Sequence, residues 1–156
     1  MMHNGEEFYA LSKIGPYTFA PFVVAARDNT YFCSSVVKND ITPWGEKKKS
    51  ICVKHTIIIS QDINGNFISE DEAHYINGIL NSSIVHAYIH NTFKTNGFSL
   101  NKSKLCLPKY DKKNLVHKNI VKLSKQATKK QTNIPEIQKK LTDLYIKVCE
   151  EVNVSN

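Results

Sequence analysis

Residues 53–60 read Val-Lys-His-Thr-Ile-Ile-Ile-Ser, and side chains so densely β-branched are stiff in a helix and pack well on a pleated surface. The density predicts a strand in a central position. Asn64-Gly65 follows, a strong tight-turn signal, with Phe67-Ile68 beyond it, so a short hairpin is expected. Ser69 stands three residues before Glu72, the spacing at which hydroxyl and carboxylate satisfy backbone donors at a helix start. Ala73, Ile76, Leu80 and Ile84 recur at helical spacing and predict a face laid on the sheet. Gly78 and Asn81-Ser82-Ser83 predict a break, hence two successive helices between Glu70 and His90. This succession points to the α/β class (mixed α+β), a twisted mixed sheet with packed helices.

The flanking segments fit that frame. Residues 8–11 form a short apolar element, and Gly15-Pro16 turns the chain into a strand expected over 17–24. Pro21 cannot donate to a ladder and belongs at an edge, bulge or strand start. Arg27 is expected in the polar turn that follows, and residues 31–37 form a further strand. The apolar pattern then lapses, so residues 38–50, with Pro43-Trp44-Gly45 and Glu46-Lys-Lys-Lys49, read as an exposed loop. Residues 93–103, with Asn96-Gly97, read as a second loop, and 105–109 as a short strand ended by its proline. A helix over 115–130 carries Ile120, Leu123 and Ala127 as its apolar side. Asn133 and Glu136 cap a last helix, with Pro135 in its first turn. Its stripe of Ile137, Leu141, Leu144 and Val148 either packs against the preceding helix as an antiparallel pair or docks a partner domain or a second copy.

A chain of 156 residues buries one core and is too short for two ordinary domains. The expected organisation is a domain over residues 6–130 and a C-terminal helix over 131–152. Its formal net charge is +7, which favours a polyanionic or acidic partner. The excess is concentrated in residues 101–156, with 13 lysines against five acids. Arg27 is the single arginine, so only one planar fork is present for bidentate reading of guanine. Cys33, Cys52, Cys106 and Cys149 form no Cys-x-x-Cys pair. Free, mostly buried thiols in a reducing compartment fit them better than a zinc site. With no signal-like segment and no apolar run long enough to span a bilayer, a cytoplasmic location without membrane contact is expected.

Catalytic patterns find little support. All six glycines are scattered, without the strand-to-helix glycine turn that binding of S-adenosylmethionine would lead one to expect. Asp40 with Glu46 and Lys48 sits in a loop context unlike that of a metal-dependent nuclease. His86 and His90 have ligand spacing, yet Ala87-Tyr88-Ile89 between them reads as packing. Nucleophile elbows around the serines are missing. The chain is expected to be no enzyme on its own, to hold no metal and to carry no cofactor.

Several ordered motifs carry a resemblance. Lys13-Ile-Gly-Pro-Tyr-Thr-Phe-Ala-Pro-Phe-Val-Val24, Lys54-His55, Glu72-Ala-His-Tyr-Ile-Asn-Gly-Ile-Leu-Asn-Ser82 and Leu107-Pro-Lys-Tyr-Asp111 follow one another as in the C-terminal regions of type II adenine DNA methyltransferases and fused restriction-modification enzymes. Over roughly residues 8–130 the chain resembles their target-recognition domain, which is related to the specificity domains of type I systems. The resemblance implies a mixed α/β module that reads duplex DNA while an adenine methyltransferase or restriction catalytic domain acts. S-adenosylmethionine is implied only for that catalytic part, and the chain would be its fragment or subunit. Candidate DNA contacts are Lys13, Tyr17, Arg27, Trp44, Lys47, Lys48, Lys49, Lys54, His55, Lys94, Asn96, Lys102 and Lys104, with phosphate contacts placing the duplex and polar loops testing its bases. The alternative is a protein-interaction or assembly module, as a homodimer or with another chain, through the Ile137, Leu141, Leu144 and Val148 stripe.

Overall fold

The computed structural model describes residues 15–27, 32–49, 56–93, 104–129 and 133–154. Pro16 fixes a helical φ and opens α1 (Pro16–Phe19), where Thr18 N donates to the Gly15 carbonyl at 2.9 Å. A proline suits a first helical turn because that amide would be unpaired anyway. The expected strand over 17–24 is thereby corrected, and β1 (Phe22–Arg27) starts only after Pro21. Arg27 ends this strand instead of lying in a turn, and its N–H donates to the Cys33 carbonyl at 2.9 Å.

The segment expected as a loop over 38–50 is largely a hairpin. β2 (Ser34–Ile41) runs on to Ile41, and β3 (Lys47–Lys49) returns antiparallel with Asp40 opposite Lys48. Thr42 N donates to the Glu46 carbonyl at 2.8 Å, and Gly45 supplies φ +85° for the turn. The residues of this segment are mostly polar and show no apolar alternation, so periodicity could not reveal this strand pair.

β4 (Thr56–Ile59) completes the order β3-β2-β1-β4, in which every pairing is antiparallel. The fold class is mixed α+β, but the sheet is antiparallel where mixed pairing was expected. β4 also lies at an edge of the described sheet, with only β1 beside it, instead of at the centre. Its Ile57 and Ile59 pack on the core; β-branching reported burial of a face, which an edge strand has too. Residues 105–109, expected as a strand, pair with none of the described strands.

Beyond β4 the expected turn forms. Asp62 Oδ1 accepts from Asn64 N and Asn66 N, both at 2.9 Å, and Gly65 takes φ +81°. The capping box then opens α2 (Glu70–Leu80). Ser69 N donates to Glu72 Oε2 at 2.8 Å, and Glu72 N donates to Ser69 Oγ at 3.3 Å. The break falls at Asn81-Ser82, before α3 (Ser83–Thr92).

α2 packs on β1 and β2 on one side and on α4 (Leu115–Lys129) and α5 (Ile134–Val154) on the other. It is therefore buried around most of its girth, Tyr75 and Ile79 as well as Ala73 and Leu80. Gly78 sits where α4 and α5 approach. A Cβ there would lie 2.5 Å from Ile120 Cγ2.

The faces that two helices bury can be compared with expectation. α4 buries His117, Ile120, Val121 and Ser124, whereas Leu123 and Ala127 are only partly buried. On α5, Leu141 is 2% and Val148 1% exposed, and Ile137 and Leu144 pack against the same buried cluster. Of the two roles left open for this stripe, packing against the preceding helix is the one seen, with α2 also covering it.

Candidate nucleic-acid interface

On α4, Lys118, Lys122, Lys125 and Lys129 recur at intervals of four, three and four residues, which places them on one face of a helix. That face borders an open cleft of about 510 Å³, completed by Tyr110, Lys112 and Asp71. The cleft lies over α2, and one carboxylate reaches into it. Lys125 Nζ bonds Asp71 Oδ1 at 2.6 Å. This hydrogen bond holds the Lys125 pKa above its ordinary value, against the opposing effect of burial. Among the described residues, Lys112, Lys118, Lys122 and Lys129 have no ion-pair partner. A ridge of uncompensated ammonium groups beside one neutralised pair is an anion-attracting surface.

A buried polar chain holds the ridge in register with the sheet. Ser34 Oγ of β2 donates to Asn77 Oδ1 at 2.9 Å, Asn77 Nδ2 donates to Ser124 Oγ at 3.1 Å, and Ser124 Oγ lies 3.1 Å from His74 Nδ1. Since Ser124 Oγ accepts from Asn77, its hydroxyl proton is available to a neutral His74. Burial lowers the His74 pKa, and the positive charge of Lys125, then to a lesser extent that of Lys38, lowers it further against the pull of Glu70 and Asp71. Lys38 on β2 and Lys125 on α4 therefore act on the same histidine. Each polar group in this chain is satisfied by another on a different element, which specifies how the helices seat.

A second aromatic-histidine cluster supports the cleft floor. Asp111 N donates to His117 Nδ1 at 3.0 Å, which leaves the proton on Nε2, 3.3 Å from the Tyr75 hydroxyl. The Tyr110 ring stacks over His117 at a centroid separation of 6.1 Å. Burial lowers the His117 pKa, against the opposing pull of Glu151 and Asp111.

The residues singled out from sequence are only partly gathered. Trp44 and Lys47, Lys48 and Lys49 belong to one hairpin. Arg27 ends β1 opposite Thr56, whereas Lys38 pairs with Phe22 at the other end of that strand. Tyr17 lies on α1 and is partly buried, and Lys104 is exposed beside α3, its N–H donating to Tyr88 Oη at 3.0 Å. Lys13, Lys54, His55, Lys94, Asn96 and Lys102 lie outside the described residues. The ridge lysines and Lys38 were missed, although the helical spacing of 118, 122, 125 and 129 was readable once a helix was expected there.

The remaining chemical candidates are dispersed. Among the described residues no three His, Cys, Asp or Glu side chains gather as a metal site. His86 packs edge-on against Phe32 at 5.5 Å, while His90 is exposed. Asp40 Oδ1 accepts from Ile41 N, and Glu46 Oε2 accepts from Trp44 Nε1. Cys33 is exposed and Cys106 and Cys149 are partly buried, where mostly buried thiols were expected; all three are free. No helix among the described residues is long and apolar enough to cross a membrane. Comparison with known protein families, curated proteins and solved structures returns no match for this chain.

Proposed function

We propose that this chain is a non-catalytic recognition module for double-stranded DNA, which directs adenine methylation or cleavage carried out by a partner catalytic domain of a restriction-modification system. The observation that carries the DNA part is the lysine ridge of α4. From Lys118 to Lys129 it runs eleven residues, about 16 Å at 1.5 Å per residue. Duplex DNA presents one charge per about 1.7 Å of axis, so several phosphates fall within that reach. The β2–β3 hairpin adds three consecutive lysines and an exposed Trp44. A two-stranded ribbon has a width that the major groove admits. In this reading the ridge positions the backbone and the hairpin tests the bases. The choice of a methyltransferase partner rests on the motif order in the sequence; S-adenosylmethionine and the methyl transfer belong to that partner.

The test is affinity for a library of duplexes across a salt series. Each phosphate contact contributes about 0.9 to the slope of log affinity against log salt. Replacing Lys112, Lys118, Lys122 and Lys129 together by Gln is expected to lower the slope by about 3 to 4. The wild-type chain is expected to prefer some duplexes over others. A wild-type chain without salt-dependent duplex binding, alone and with a cognate catalytic partner, refutes the proposal.

A further inference from the structure

β1 leaves β2 at the Phe22–Lys38 pair, and residues 39–41 pair only with Lys47–Lys49. The hairpin therefore continues past the end of β1 as a two-stranded ribbon. At about 3.3 Å per residue its turn stands about 15 Å beyond Lys38. The end of this ribbon is apolar as well as exposed. Ile41 is 72% and Trp44 69% exposed, and a Cβ at Gly45 would meet nothing within 4 Å. Neither large side chain belongs to the core cluster.

The indole is held by the turn. Trp44 Nε1 donates to Glu46 Oε2 at 3.2 Å, and Glu46 N donates to Thr42 Oγ1 at 3.0 Å. An aromatic plane restrained before contact loses less freedom on binding. Three lysines follow in succession on β3 and Lys38 stands at the ribbon's base, against Asp40 and Glu46 on the same hairpin. Phosphates met by ammonium groups and a base face met by an aromatic ring are the two parts of unstacked-nucleotide recognition.

We infer that Trp44 stacks on an unpaired or extruded nucleobase presented at the tip of the ribbon. The inference rests on the DNA reading above and adds the ligand chemistry of the ribbon tip. It assigns Trp44 to a base face and makes Glu46 a positioning residue for the indole.

Trp44 is the only tryptophan of the chain, so its emission reports the tip alone. The whole chain is titrated with a duplex carrying one unpaired thymine, the same duplex with an abasic residue there, heparin, and vesicles rich in anionic lipid. The unpaired-thymine duplex is expected to quench the emission strongly and the abasic duplex much less. Trp44→Ala is expected to weaken the unpaired-thymine duplex by about 5- to 150-fold, the range of one base–aromatic stack. Its heparin affinity and far-ultraviolet circular dichroism should be unchanged. Equal quenching by the two duplexes, or unaltered affinity in Trp44→Ala, overturns the inference. So does a blue shift on vesicles without base-dependent quenching, which assigns the tip to lipid. Salt-dependent duplex binding without any base-dependent signal removes this inference alone, whereas binding to none of the polyanions removes the DNA reading with it.

Discussion

Gly78→Ala separates helix propensity from packing, because the two demand opposite signs. In the last turn of α2, an exposed Gly→Ala replacement would stabilise the helix by at most about 1 kcal/mol. Here the new methyl would stand 2.5 Å from Ile120 Cγ2, 3.3 Å from Leu141 Cδ2 and 3.4 Å from the Ile120 carbonyl oxygen. Ile120 is fully buried, and a β-branched side chain in a helix has essentially one rotamer, so its methyl cannot swing away. The carbonyl behind it is backbone. The strain is relieved only by moving α4 away from α2, and overpacking of this kind costs about 1–3 kcal/mol. With the upper part of that range and the propensity gain set against it, a net loss of about 2 kcal/mol is expected. For a chain of this size that lowers Tm by about 4–8 °C. Urea unfolding should show a lower midpoint at unchanged slope. Ile120→Leu lacks the branch methyl at Cβ, so combining it with Gly78→Ala should recover about 1 kcal/mol as coupling between the two sites. A Gly78→Ala protein as stable as the parent, or more so, refutes the close approach of α2 and α4 described above.

Ser69→Ala removes the acceptor for Glu72 N and the hydroxyl bonded to Glu72 Oε2; a loss of about 1 kcal/mol is expected from urea midpoints, and a change under a few tenths argues against the capping box. His74, His86 and His117 all have pKa values lowered by burial. The unfolded chain takes up protons near 6.5 that the folded chain refuses, so their stabilising effect is complete above that pH and is lost as pH falls toward the depressed values. The urea midpoint should therefore drop between about pH 7.5 and about pH 5.5, and a rise over that interval contradicts the burial of these imidazoles. His86 Nε2 is buried without a hydrogen-bond partner. His86→Phe keeps a ring against Phe32, removes the orphaned atom and should raise stability by about 1 kcal/mol while flattening the acid response; a destabilised protein would mean that the imidazole is satisfied.

Legibility followed how local the determining physics was. The Asp62–Asn66 turn, the Ser69–Glu72 box and the break at Asn81-Ser82 are settled within a few residues, and each appears as the sequence indicates. The α2 interior was only half legible, since Tyr75 and Ile79 are as buried as Ala73 and Leu80. A helix sandwiched between a sheet and two helices has no polar side for periodicity to detect. The interface residues divide in the same way. Trp44 and the adjoining lysines stood out by composition, whereas Lys38 acquires its influence on His74 only through the seating of α2 on β2.

The amino-acid order by itself determined the secondary structure wherever caps, glycines and prolines act on their own neighbours, and with it the mixed α+β class. It also put the positive charge into the C-terminal half, since the lysines at 118, 122, 125 and 129 share a helical face in any fold that keeps α4. Tertiary structure decided what those elements are for. It spent the α5 stripe on the core, turned a polar segment into a two-stranded ribbon, moved β4 to an edge and set α4 over His74. The physical reason is that burial is a property of pairs of surfaces. An apolar stripe, a lysine row or a glycine has a meaning only once the partner surface is in place, and contacts between residues some fifty positions apart, such as Lys125 with Asp71, carry no mark in either local sequence.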